Sequence, residues 1–198
     1  MGNQQTHRLR IIGGQWRSRL LLLPDIAGLR PTPNRVRETL FNWLQGVITG
    51  ARCLDLFAGS GALGLEALSR GAAEVVFVEH NPAMATALRG YLTQLDAKQR
   101  GSVIQTDAAG YLQGPSRPFD LVFLDPPFSS GWIPRLCFPL QERGWLAPHA
   151  RVYLETEAEC TLQPLPPGLE LVRARHAGKV GYHLAQYSPR HERNPEFS

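Results

Sequence analysis

From Ala51 onward, short apolar runs alternate with stretches whose apolar residues recur every three to four positions, the pattern of strands alternating with amphipathic helices. Cys53 to Phe57, Val75 to Glu79, Val103 to Thr106, Leu121 to Leu124 and Arg151 to Glu155 read as strands. Helices are predicted at Ala62 to Ser69, after the cap and first-turn proline Asn81-Pro82 with Met84, Leu88, Leu92 and Leu95 inward, and at Ala108 to Leu112. Strands that are apolar on both faces and separated by helices predict an α/β fold, a doubly wound parallel sheet covered on both sides. Two regions depart from this alternation. Leu169 to Arg175 and Tyr182 to Tyr187, around Gly178 to Gly181, predict an antiparallel hairpin. Upstream, Pro31-Thr32-Pro33-Asn34 starts a helix with Val36, Leu40, Trp43, Leu44 and Val47 as its buried stripe.

Residues 8 to 23 read as two strands around Gly13-Gly14, a dipeptide suited to a two-residue turn. With Ile12 facing Gln15, the expected pairs are Ile11 with Trp16, Arg10 with Arg17, Leu9 with Ser18 and Arg8 with Arg19. Leu9, Ile11 and Trp16 then share one face, and Arg8, Arg10, Arg17 and Arg19 the other. Opposed like charges destabilise a hairpin, so this face is read as an anion-binding surface, against the alternative of arginines splayed into solvent.

Charge sharpens that reading. The 198 residues carry a net charge of +4, but residues 1 to 37 hold seven arginines against Asp25, leaving the remainder slightly acidic. The bases are 19 Arg and 2 Lys, and the planar guanidinium matches phosphate geometry better than an ammonium does. With 43% hydrophobic and 19% charged residues the chain is a folded one, of a length suited to a single domain. The expected organisation is a basic hairpin arm over 8–30, a core over 31–187 and a loose tail over 188–198. Cys53, Cys137 and Cys160 form no C-x-x-C pair, and no H-x-x-x-H pair occurs, so neither a disulfide framework nor a metal is expected. The longest early apolar run, Leu20 to Leu23, is far too short for a membrane span or a signal region, which places the protein in the cytoplasm.

Two motifs carry chemistry. Asp55-Leu56-Phe57-Ala58-Gly59-Ser60-Gly61-Ala62-Leu63-Gly64 places G-x-G-x-x-G directly between a strand and a helix, the context of a nucleotide-cofactor turn. Glu79, at the next strand tip, suits ribose hydroxyls of any such cofactor. Asp55 discriminates among them, since a carboxylate before the turn repels a pyrophosphate but pairs with the cationic end of S-adenosylmethionine. The second motif is Asp125-Pro126-Pro127-Phe128 at the end of a strand. Consecutive prolines remove two N–H donors, leaving an acceptor-rich edge beside an aromatic ring. That edge matches the exocyclic amine of a base stacked on Phe128, a contact worth ~1 to 3 kcal/mol. Holding a weakly nucleophilic amine against a methyl sulfonium supplies roughly 7 to 11 kcal/mol through positioning.

With these residues in order, the sequence resembles the class I S-adenosylmethionine-dependent methyltransferases that carry a D-P-P-F/Y motif. Arg10 to Arg17, Arg30-Pro31-Thr32, Arg35 to Leu44, Leu54 to Gly64 and Leu124 to Phe128 are more narrowly similar to the bacterial small-subunit (16S) ribosomal RNA guanine-N2 methyltransferases, over about residues 8 to 187. The resemblance implies a Rossmann-like, seven-stranded sheet with its last strand antiparallel. It implies that Asp55, Ala58, Gly59, Ser60 and Gly61 line the methionine part of the cofactor, Glu79 the ribose, and Asp107 with Ala108 the adenine. From the residues alone, Asp107 serves equally as a helix cap. Thr32, Arg35 and Arg37 fall where the family closes a segment over cofactor and substrate; with Arg8, Arg10, Arg17 and Arg19, the two helix arginines are the expected RNA contacts.

The expected activity is methyl transfer to the N2 amine of a guanine in small-subunit ribosomal RNA, free or within a 30S particle, by a monomer. Asp125 to Phe128 form its catalytic edge, with Asp125 as acceptor and orienting group. An adenine-N6 methyltransferase acting on DNA or RNA needs the same amine geometry and is the nearest rival. Protein-glutamine methyltransferases carry N-P-P-Y rather than an Asp. A non-catalytic RNA-binding assembly factor and an NAD oxidoreductase stand further off, the latter for want of a hydride-transfer acid.

Overall fold

The computed structural model describes residues 8–26, 32–127, 131–158 and 165–189. Arg30, Pro31, Phe128, Cys160 and the tail from residue 190 lie outside the described residues. Strands β1 (Arg8–Arg10) and β2 (Leu20–Leu22) form an antiparallel ribbon, and helix α1 (Asn34–Trp43) follows. The alternating core comprises β3 (Arg52–Asp55), α2 (Ala62–Ser69), β4 (Glu74–Val78), α3 (Pro82–Gln94), β5 (Gly101–Ile104), α4 (Ala108–Gln113) and β6 (Phe119–Leu124). Helix α5 (Trp132–Glu142), β7 (Leu146–Glu157) and the hairpin β8 (Leu169–Ala177) with β9 (Val180–Tyr187) complete it.

The main sheet has seven strands in the order β5-β4-β3-β6-β7-β9-β8. Its first five are mutually parallel, and β9, the last in the chain, runs antiparallel to both neighbours. One face packs Cys53, Val75, Phe77, Leu121, Phe123 and Tyr153 against the ribbon and helices α1, α2 and α3. The other packs Leu54, Val76, Val122, Leu124, Val152 and Leu154 against α4 and α5. Alternate residues of each strand thus enter different cores, which is why the strands read as continuous apolar runs. The chain steps outward from β3 through β4 to β5, then crosses back through α4 to β6 on the other side of β3, so the C-terminal tips of β3 and β6 frame a topological switch point where α/β sheets bind ligands.

The ribbon departs from the expected register. Arg8 pairs with Leu22, Leu9 with Leu21 and Arg10 with Leu20, so Arg10 does not face Arg17 and Arg8 does not face Arg19. The cause is α2. Glu66, fully buried, accepts the amides of Ile12 at 2.8 Å and Gly13 at 2.8 Å, while Ser69 Oγ accepts the Trp16 amide at 2.9 Å and donates to the Gly13 carbonyl at 2.6 Å. Gly14 has φ +73°, and a Cβ there would stand 1.9 Å from the Ser69 carbonyl oxygen. Gly13-Gly14 therefore permits close docking on a helix end rather than a two-residue turn. The sidedness holds: Leu9, Ile11 and Trp16 are buried, and Arg8, Arg10, Arg17 and Arg19 are exposed. What falls away is the like-charge repulsion that suggested a bound anion.

Helix α1 starts as expected after Pro33 and buries Val36, Leu40 and Phe41, but it ends at Trp43, leaving Val47 exposed. Helix α5, with prolines at 134 and 139, was not expected from its sequence.

Candidate active site

Four carboxylates stand in a row at the C-terminal ends of neighbouring strands: Glu79 after β4, Asp55 on β3, Asp125 after β6 and Glu155 on β7. Asp55 is 2% exposed, and its Oδ2 accepts the Gly64 amide in the first turn of α2 at 3.1 Å. Burial, together with the charges of Asp125 and Glu79, pushes its carboxyl up to about 7 against the Gly64 hydrogen bond. A group so placed is half-protonated near neutrality, and a cationic ligand beside it would return it to the charged form.

The turn after β3 folds back on itself through Gly61 N–H to Ala58 carbonyl at 2.7 Å, and Ala58 N–H reaches the Val78 carbonyl at 3.0 Å. Gly61 sits at φ +78°, where a Cβ would press to 2.6 Å from Leu88, so the turn needs glycine to lie this close to α3. Glu79 fastens the turn from the other side: Oε2 accepts the Gly59 amide and Oε1 the Asn81 amide, both at 2.7 Å. A carboxylate offers about four lone-pair directions, so these bonds leave Glu79 acceptor capacity toward a ligand. Ser60 and Ala58 are buried in the same turn. Asp107 caps α4, accepting the Gly110 amide at 2.7 Å, and Ala108 is buried behind it.

Across the switch point, Thr32 Oγ1 donates to Asp125 Oδ2 at 3.3 Å. Pro126 is buried and Pro127 exposed. The β6–β7 register pairs Phe123 with Tyr153 and Leu124 with Leu154, which carries Asp125 alongside Glu155. The two carboxyl groups are electrostatic neighbours, and Tyr153 O–H donates to Glu155 Oε1 at 2.8 Å. Burial raises both carboxyls above the ordinary carboxylate range, and for Glu155 the charge of Asp125 acts in the same direction. Glu155 is 4% exposed and formed no part of the sequence expectation. Its position as the last residue of the strand read at Arg151 to Glu155, beside one ending at Asp125, was the available signal.

The arginines divide. Arg8, Arg10, Arg17, Arg19 and Arg35 are exposed. Arg37 is 1% exposed, which corrects its reading as an RNA contact. Its Nη2 donates to the Arg10 carbonyl at 2.8 Å and to Asn34 Oδ1 at 2.6 Å, and Nη1 lies 3.6 Å from Glu66. This guanidinium joins the ribbon, α1 and α2.

A profile of the family described as Conserved hypothetical protein 95 matches residues 9–186. The chain is 48% identical over 179 residues to the ribosomal RNA small subunit methyltransferase D of Escherichia coli (strain K12), covering 90% of each protein. The chain belongs to this family. The Haemophilus influenzae member is 43% identical over 183 residues, covering 90% of this chain and 93% of that one. Among solved structures, the yhhF protein of Escherichia coli superposes with a TM-score of 0.84 at 46% identity, covering 93% of this chain and 100% of that one. The fold extends to an RNA methyltransferase from Salinibacter ruber solved with S-adenosyl-L-homocysteine, with a TM-score of 0.64 at 15% identity, over 83% of this chain and 98% of that one. Among the described residues of this family member, no helix is long and apolar enough to cross a membrane.

Proposed function

We propose that the chain transfers a methyl group from S-adenosylmethionine to the exocyclic N2 amine of a guanine in 16S ribosomal RNA. The observation that carries this reading is the acceptor edge at Asp125. Its carboxylate is oriented by Thr32 and is followed by two prolines that donate no amide hydrogens. It lies one strand from the glycine turn and Asp55. The printed names of the relatives support ribosomal RNA as the substrate.

The donor set fits a cationic cofactor. Asp55 and Glu79, with Asp125 beyond, surround the turn with negative charge in a poorly hydrated space, where opposite charge is attracted more strongly than in water. When bound, S-adenosylmethionine supplies an electrophilic methyl group. Gly59, Ser60 and Gly61 would line its methionine part, Glu79 its ribose, and Asp107 with Ala108 its adenine. Asp125 would accept a hydrogen from the guanine N2 amine and hold the nitrogen lone pair toward the methyl carbon. Phe128 would stack on the base.

Arg8, Arg10, Arg17, Arg19 and Arg35 would contact RNA phosphates. Extruding a base costs a few kcal/mol, and such contacts offset it. The substrate is a small-subunit particle or its free RNA. Deleting the gene and digesting the 16S RNA to nucleosides tests the reading: one N2-methylguanosine should be missing. An unchanged N2-methylguanosine content with loss of an N6-methyladenosine would instead favour the adenine chemistry.

A further inference from the structure

We propose that Glu155 is a positioning residue in a one-proton carboxyl pair: its carboxylic acid donates to Asp125, fixes that carboxylate toward the amine, and lets the pair take up the proton released on methylation. This rests on the amine reading above. The geometry is that of a shared site. The β6–β7 register sets the two carboxyl groups side by side at adjacent strand tips, with Thr32 donating to Asp125 and Tyr153 donating to Glu155. Tyr182 of β9 stands directly across from Glu155, and Asp55 faces the pair from β3. Among the described residues named here none is cationic, so two adjacent carboxylates would repel one another. Retaining one proton relieves that repulsion. Glu155 is buried whereas Asp125 is only half-buried, so the less hydrated Glu155 holds the proton and Asp125 the charge.

The step balances. The lone pair of the amine nitrogen forms the new C–N bond while the S–C bond breaks with its electrons to sulfur, leaving a neutral thioether. The nitrogen, now cationic, loses one proton to Asp125. The pair passes from one proton and one negative charge to two protons and none, and returns the extra proton to solvent before the next turnover. At high pH Glu155 ionises, its donated hydrogen bond is lost and the two charges push Asp125 out of position. Methyl transfer should therefore fall on the alkaline side.

The test compares wild type with Glu155→Gln, Glu155→Ala and Tyr153→Phe. A glutamine amide still donates to Asp125 but cannot ionise. Expected are an alkaline fall in kcat for wild type that is absent in Glu155→Gln, and a loss of at least tenfold in kcat for Glu155→Ala, with KM for RNA within about threefold. Tyr153→Phe removes a donor to ionised Glu155 and should move the alkaline fall to higher pH. Infrared spectra of the protein without cofactor give a second readout. Beside the band of Asp55, wild type should show a second protonated-carboxyl band that disappears on alkaline titration, and Glu155→Gln should retain the Asp55 band alone, including where a variant folds but turns over poorly. An alkaline fall unchanged in Glu155→Gln, or an infrared titration identical to wild type, overturns the proposal. Identifying the methylated nucleoside separately judges the guanine-N2 reading: a different methylated base with the same pH behaviour would retain the pair and replace the substrate.

Discussion

At the scale of single residues, the site concentrates negative charge where water is scarce. Asp55 shows the cost. Its carboxyl is raised to about 7 in the folded chain, against an unfolded value of ~3.9, so folding favours its protonated form. The sign follows from linkage: the folded state binds more protons in this interval, and stability falls as pH rises from about 4 through 7. Asp55→Asn should remove that part of the slope. Calorimetric melts of the ligand-free protein should show wild type losing more on going from pH 5 to pH 8 than the variant, by at least ~2 to 4 °C, the shift expected per kcal/mol at this size. Parallel melting curves would mean that Asp55 is ionised throughout. Asp125 makes the complementary prediction. Asp125→Asn should reduce methyl transfer by roughly 10² to 10⁴, the range for a group managing a proton in the transition state, while cofactor affinity by calorimetry changes less than about threefold. Near-normal turnover would remove Asp125 from the chemistry.

At the scale of elements, the ribbon is built into the body of the molecule. Glu66 accepts two of its amides and lies between Arg37 and Arg70, Ser69 takes a third amide, and Tyr91 O–H donates to the Leu22 carbonyl at 2.6 Å. Glu66→Ala would leave the Arg37 guanidinium buried without its counter-charge. Chemical denaturation should show a loss of about 3 to 5 kcal/mol, and a loss under 1 kcal/mol would show that the ribbon is fastened elsewhere. For function, replacing Arg10 and Arg17 with Gln should weaken RNA binding and reduce the slope of log affinity against log salt by about 1.5, through two fewer released counterions. An unchanged slope would make them solvent-facing charges. The core elements were legible because their local signals agree with their tertiary roles: Asn81-Pro82 caps α3 as read, and Ala62–Ser69 is the helix expected. The ribbon register was not legible, because Gly13-Gly14 answers to Glu66 and Ser69, more than fifty residues away. Arg37 was misplaced for the same reason: its partners lie on other elements. Asp55, Glu79 and Asp125 were visible through their motifs, whereas Glu155 has no motif and gains its place only from the pairing of β6 with β7.

At the scale of the whole molecule, the uneven charge along the chain becomes a division of labour. Arg8, Arg10, Arg17 and Arg19 lie exposed on the N-terminal ribbon, and the acidic row lies at the tips of the parallel strands. Helix α1 joins them: Arg37 holds the Arg10 carbonyl, and Thr32, just before the helix, holds Asp125. RNA gripped by the ribbon would thus meet a site whose substrate-side carboxylate is positioned through the same segment. The most direct measurement supplies methyl-labelled S-adenosylmethionine with small ribosomal subunits from the deletion strain, free 16S RNA and duplex DNA, followed by digestion to nucleosides. Label in N2-methylguanosine from the ribosomal substrates is the predicted result. Label confined to N6-methyladenosine, or to DNA, would contradict the account.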